Sequence, residues 1–154
     1  MRSAERDFAL QPARGVLGDI VAADCRLDEP QDIAAALGEQ RSGRRDDAAL
    51  VALACRRWGA AAAAHLNGGF AFAHWDETDH RLVLARDALG TRPLYYVEHP
   101  QYLIFASAIP TLLALPEVPR DLDDLVMAQY LTIEPQDHET TVYRHIRRVP
   151  PGGC

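Results

Sequence analysis

Residues 84–96 read LARDALGTRPLYY. An apolar strand ends in Arg86-Asp87, the chain turns over Leu89-Gly90, and it restarts with Arg92-Pro93 and two tyrosines. Taken alone this is a hairpin corner, with Gly for the turn and Pro to fix the restart. The flanking sequence makes it more than one corner. GFAFAHWD (69–76) alternates, with Phe70 and Phe72 on one side and Ala71, Ala73 and Trp75 on the other. RLVLARD (81–87), RPLYYVE (92–98) and QYLIFAS (101–107) follow at turn-length spacing. Four short strands so connected predict an antiparallel meander.

Upstream the period is helical. QDIAAALG (31–38) predicts a short helix ended by Gly38. Glu39 to Arg45 reads as a loop, after which Asp46 or Asp47 caps a helix with Leu50, Ala54 and Trp58 on one face. Gly59 closes it, and Ala60 to Leu66 extends the helical region. VLGDIVAAD (16–24) reads as a buried strand after the turn-like Arg14-Gly15. Downstream, Ser107 is expected to cap a helix through Leu113, and Asp121 another, with Leu122, Leu125, Val126 and Tyr130 turned inward. The tail VYRHIRRVPPGGC reads as a last strand running into a Pro-Gly stop. Helices on antiparallel sheet make an α+β layered fold.

Bulk properties exclude several functions. A chain of 154 residues, 48% hydrophobic and 25% charged, has material for one domain with a core. Its net charge of −6 argues against a nucleic-acid surface, and no apolar run reaches the roughly 18 residues of a membrane helix. The opening MRSAERDFALQ lacks the apolar core of a signal peptide. Cys25, Cys55 and Cys154 are odd in number and far apart, which suits reduced thiols and a cytoplasmic protein. All 16 basic residues are Arg, which rules out a lysine base, a Schiff base and a phosphate-loop lysine. The six histidines are dispersed, and no metal site is expected.

LNGGFAFAHWDETDHRLVLARDALGTRPLYY, with FASAI and LLALPEVPR after it, closely resembles the N-terminal domain of the asparagine-synthetase family. DLDDLVMAQYL and TVYRHIRRVPPGG look like the segment that joins this domain to the next. The resemblance runs from about Val21 to Gly153. That family pairs a class II glutamine amidotransferase domain with an ATP-dependent amide-forming domain. The resemblance implies an Ntn-hydrolase-like αββα sandwich, N-terminally incomplete here. It divides the chain into a partial amidotransferase domain, 1–115, and a helix and connector, 116–154. Arg86, Asp87, Gly90, Arg92 and Pro93 would form the framework of the strand connection.

The chemistry departs from the family. Its glutaminase uses a Cys at position one, whose own α-amine is the base. This chain begins Met1-Arg2-Ser3, and Cys55 reads as a small core residue, so no catalytic residue is assigned. Where active members carry Asn-Gly-Glu, alignment on the following helix places Asp24-Cys25-Arg26. Asp24 offers no N–H to an oxyanion, and losing one such donor costs about 2.7–4 kcal/mol of transition-state stabilisation. Arg26 reverses the charge that would meet the substrate's ammonium. Asp47 aligns with the family's Ser-Asp and could bind that ammonium, or cap its helix. Asp24, Cys25 and Asp47 are therefore substrate-site candidates by position alone.

These changes resemble the subgroup without glutaminase activity, the β-lactam synthetases and lasso-peptide cyclases, in which the substrate supplies the amine. The expectation is a silent amidotransferase-like domain that shapes the cleft of a synthetase domain, in cis or in trans. ATP and Mg²⁺ would belong to that other domain, since no phosphate-binding loop occurs in this chain. Two other readings stay open: a working glutaminase with a truncated N-terminus, and a stand-alone pseudoenzyme that binds a partner or forms a homodimer through an exposed apolar sheet.

Overall fold

Two antiparallel sheets face one another in the computed structural model, which describes residues 11–14, 19–39, 46–133 and 137–154. The first has the order β1-β2-β3-β4, from Gln11–Arg14, Ile20–Leu27, Gly68–Asp76 and Arg81–Arg86. The second has the order β6-β5-β7, from Tyr102–Ala106, Tyr95–His99 and Arg147–Arg148. Alternation sets the faces, because successive side chains in a strand point opposite ways. In β3, Phe70 and Phe72 turn to the helices, whereas Ala71 turns to the second sheet, where it packs with Leu94 and Val149.

Helices α1 (Pro30–Ala36) and α2 (Asp47–Trp58) cover the outer face of the first sheet, with a 3-10 helix over Gly59–His65. Leu50, Val51, Ala54 and Cys55 of α2 are buried with Val21, Phe70, Phe72, Val83 and Ala85. Between the sheets Leu84 meets Tyr96 and Phe105 around Leu94. On the far side of the second sheet, Val97 and Ala106 pack with Leu112 of α3 (Ile109–Leu113), Val118 and Ile146. The order is helices, sheet, sheet, helix: the expected α+β sandwich with antiparallel sheets. A further helix, α4 (Asp124–Thr132), follows.

Several local expectations fail for identifiable reasons. The meander is broken at the Arg86–Leu94 connection. Strands β3 and β4 pair in one sheet and β5 and β6 in the other, because that corner carries the chain from layer to layer. β2 runs on to Leu27, three residues past the expected end, held by pairing with β3 down to Gly68. The part of that expected strand at 16–18, and the loop at 40–45, lie outside the described residues. Arg14 lies in β1, paired with Ile20, rather than in a turn.

Capping also differs. The residue before α3 is Ala108, with no side-chain bond, so Ser107 does not cap it; Pro110 in its first turn fixes the entry instead. Asp123, not Asp121, caps α4 by accepting from the N–H groups of Leu125 and Val126. Asp121 is used otherwise: its carbonyl accepts from the Arg144 N–H. Of the four residues expected to turn inward from α4, Val126 is buried, whereas Leu122, Leu125 and Tyr130 are exposed. The last strand shrinks to Arg147–Arg148.

Candidate functional site

The corner at 86–92 is built around two buried charges. The Asp87 carboxylate accepts from the N–H groups of Phe70, Leu89, Thr91 and Arg92 and from the Thr91 hydroxyl. Burial alone would raise its pKa, but the bonds from Thr91, Arg92 and Phe70 outweigh that and hold it below the usual carboxylate range. Arg86 donates from Nε to the Arg92 carbonyl, from Nη1 to that of Val149 and from Nη2 to that of Gly90. Burial, and after it the charge of Arg148, lowers the pKa of this guanidinium. Gly90 has φ +62, and a Cβ there would meet the Arg86 guanidinium and Pro151 at 3.0 Å. These residues position the connection between sheets; none is left with an idle reactive group pointing at solvent.

Asp24, Cys25 and Asp47 lie close together but on different faces. Asp24 pairs across the sheet with Ala71, which belongs to the cluster between the sheets. There its Oδ1 stands 3.7 Å from Nη1 of Arg92. Cys25 pairs with Phe70 and packs against the helix-side core. Burial first, and then the charges of Asp47, Asp46 and Asp24, push its thiol up to about 12. Asp47 does not cap its helix. It is the first residue of α2, and its Oδ2 accepts from the Leu27 N–H at 2.8 Å, tying the helix start to the end of β2. Asp46 stands at the cap position without a side-chain bond.

Residues 31–154 match the family model described as a glutamine amidotransferase domain. The chain belongs to that family. Among curated relatives, glutamine-hydrolysing asparagine synthetase 3 of Bacillus subtilis strain 168 is 34% identical over 88 residues, 56% of this chain and 14% of its own. Asparagine synthetase 1 of the same organism, also glutamine-hydrolysing, is 31% identical over 106 residues, 69% of this chain and 17% of its own. The chain thus spans about a sixth of the length of these relatives. A solved structure, the glutamine phosphoribosylpyrophosphate amidotransferase of B. subtilis with ADP and GMP, is similar at 22% identity and a TM-score of 0.48, over 64% of this chain and 24% of that one.

In this amidotransferase domain the site candidates and the main cleft do not coincide. A cleft of about 810 Å³ opens between the 3-10 helix, Asn67-Gly68-Gly69 and the 86–91 corner, with Asp28, Asp87 and Thr91 in its wall. Asp24, Cys25 and Asp47 are not part of its lining. Asp87 and Thr91 in that wall are already bonded to one another and to the main chain of the corner. His74 is buried, its ring nitrogens have no hydrogen-bond partner among the described residues, and Asp19 lies 3.9 Å away. Burial, then Asp19, pushes the neighbouring Cys55 thiol up to about 12.

Two structural roles escaped the sequence. Thr91 supplies two of the donors to Asp87, and its hydroxyl fills the space beside Gly69 that a Cβ would need. Arg92 is the counter-charge of Asp24. The contact joins residues 68 positions apart, so no spacing rule could have found it. For Thr91 the adjacent Gly90 and the Gly68-Gly69 pair were the available signal, since paired glycines mark close backbone approach.

Proposed function

We propose that this chain is the amidotransferase-like domain of an ATP-dependent amide-forming ligase of the asparagine-synthetase family, and that it does not hydrolyse glutamine. The observation that carries this reading is the Asp24–Arg92 pair. Glutamine hydrolysis needs N–H donors aimed at a developing oxyanion. Asp24 stands where the family places its Asn amide, and it brings an acceptor in place of a donor. Arg92 stands beside it, and its charge is engaged by that carboxylate. The Cys25 thiol, pushed up to about 12 and turned to the helix layer, is no thiolate nucleophile at neutral pH.

A domain so arranged serves by shape. It packs against a synthetase domain and walls the cleft in which a carboxylate is activated, while the substrate supplies the amine. ATP and Mg²⁺ would be held by that second domain. The glycine pair at 152–153 does not fit them: its N–H groups already donate to the carbonyls of Asp87 and Pro150 and are not available to cradle a phosphate. Residues 116–154 would lead toward the second domain. A cytoplasmic setting suits the three free cysteines, and no helix among the described residues is long and apolar enough to cross a membrane.

The test is an assay of the native protein isolated from its own cells. Incubated with glutamine, with and without ATP, it should release no glutamate. Sustained glutamate release would overturn the reading.

A further inference from the structure

Helix α4 is apolar on every side yet leans on its own domain through little more than Val126. Its N-terminal end is held by the Asp123 N–H bond to the Val142 carbonyl and the bridge between Leu122 and Tyr143. Beyond that anchor, Leu125 is 68% exposed, Tyr130 66%, Leu131 80% and Ile133 92%. A helix that is hydrophobic all round belongs in the interior of a larger body. Monomeric proteins rarely leave such a patch uncovered.

We infer that α4 inserts into an apolar recess of the synthetase domain proposed above, carried on the same polypeptide as in the relatives, where the matched segment is 14–17% of one long chain. The inference rests on that reading of function and names the face that makes the contact. The geometry of the helix selects the kind of occupant. At about 100° per residue, Leu125, Tyr130 and Leu131 point in three directions spaced roughly 100–140° apart. The helix of a second copy would cover one stripe and leave the others wet. A concave surface that wraps the helix covers all three. The acidic residues Asp121, Asp123 and Asp124 gather at its N-terminal end, so the recess is apolar along its length with a polar or basic rim at that end.

The experiment places a photo-crosslinking phenylalanine analogue at Leu131, and separately at Glu98 on the exposed end of β5, in the native gene expressed in its own cells. The crosslinked peptides of the intact protein are then sequenced. Linkage from position 131, but not from 98, to a synthetase-domain peptide of the same polypeptide is the expected result. Linkage to the α4 peptide of a second copy, linkage to a separate polypeptide, or no linkage from 131 in a protein that does contain a synthetase domain would overturn the docking face and leave the functional reading standing. Intact mass showing no synthetase domain on the chain would remove both.

Discussion

Arg92 Nη1 and Asp24 Oδ1 lie 3.7 Å apart on the face of the first sheet that looks toward the second, joining β2 to the start of the segment that enters β5. The pair ties the two layers together. Its side chains are 32% and 18% exposed, so solvent screens it. A double-mutant cycle of Arg92→Gln and Asp24→Asn, followed by chemical denaturation, should give a coupling of about 1 kcal/mol or less. A coupling several times larger would mean that the pair is drier than its exposure indicates.

Asp87 is the most consequential single residue of the corner. Asp87→Ala leaves the buried N–H of Phe70 and the part-buried N–H of Thr91 without their acceptor and should cost about 3–5 kcal/mol, seen as a loss of cooperative unfolding or a Tm lower by roughly 6–20 degrees. Asp87→Asn keeps an acceptor oxygen and should lose less.

The same carboxylate gives a pH dependence with a definite sign. Its folded pKa is held below the unfolded value of about 3.9, so its contribution is fully present above that value. It is lost as pH falls through the folded pKa. Denaturation midpoints measured from pH 6 down to pH 2 should therefore drop below about pH 4. In Asp87→Asn that part of the slope should disappear.

Thiol accessibility separates the three cysteines. Cys154 is exposed, whereas burial holds Cys25 and Cys55 protonated at about 12. Iodoacetamide at pH 8 should modify one thiol of the native protein quickly and the other two only on unfolding, read by intact mass. Rapid labelling of Cys25 would contradict its placement against the helix layer.

Gly68 sits at φ +126, and a Cβ there would run into the Arg26 carbonyl and come within 2.9 Å of the Asp28 N–H. Gly68→Ala should destabilise by about 2 kcal/mol or more, since both backbone strain and a clash with main chain oppose it. Ile133 is the converse case, a β-branched residue in the left-handed region at φ 56. Ile133→Gly should stabilise the fold by about 1 kcal/mol.

Layer order was legible in the sequence where periodicity was strong. The alternation of 69–76 assigned both faces of β3, and the Leu50, Ala54 spacing identified the buried face of α2. The break of the meander was not legible, because LARDALGTRPLYY is compatible with a hairpin until Arg86 and Asp87 are seen binding Val149 and Phe70 from distant segments. α4 misled for a related reason. Its apolar residues do not favour one side, so assigning Leu125 and Tyr130 to the core assumed a core within reach. Asp24, Cys25 and Asp47 were singled out by position alone, and the opposite facing of Asp24 and Cys25 follows from the register with Ala71 and Phe70, which no single strand reveals.

The bonds of Arg86 and Asp87 to the final segment have a mechanical meaning. Arg86 holds the Val149 carbonyl, its N–H donates to the Gly153 carbonyl, and the Asp87 carbonyl accepts from Gly152. A pull on residue 154 is thus transferred at once to the junction between the two sheets. Traction from that side would load the sandwich where its two sheets join, and residues 149–153 would act as a fixed mooring rather than a tether.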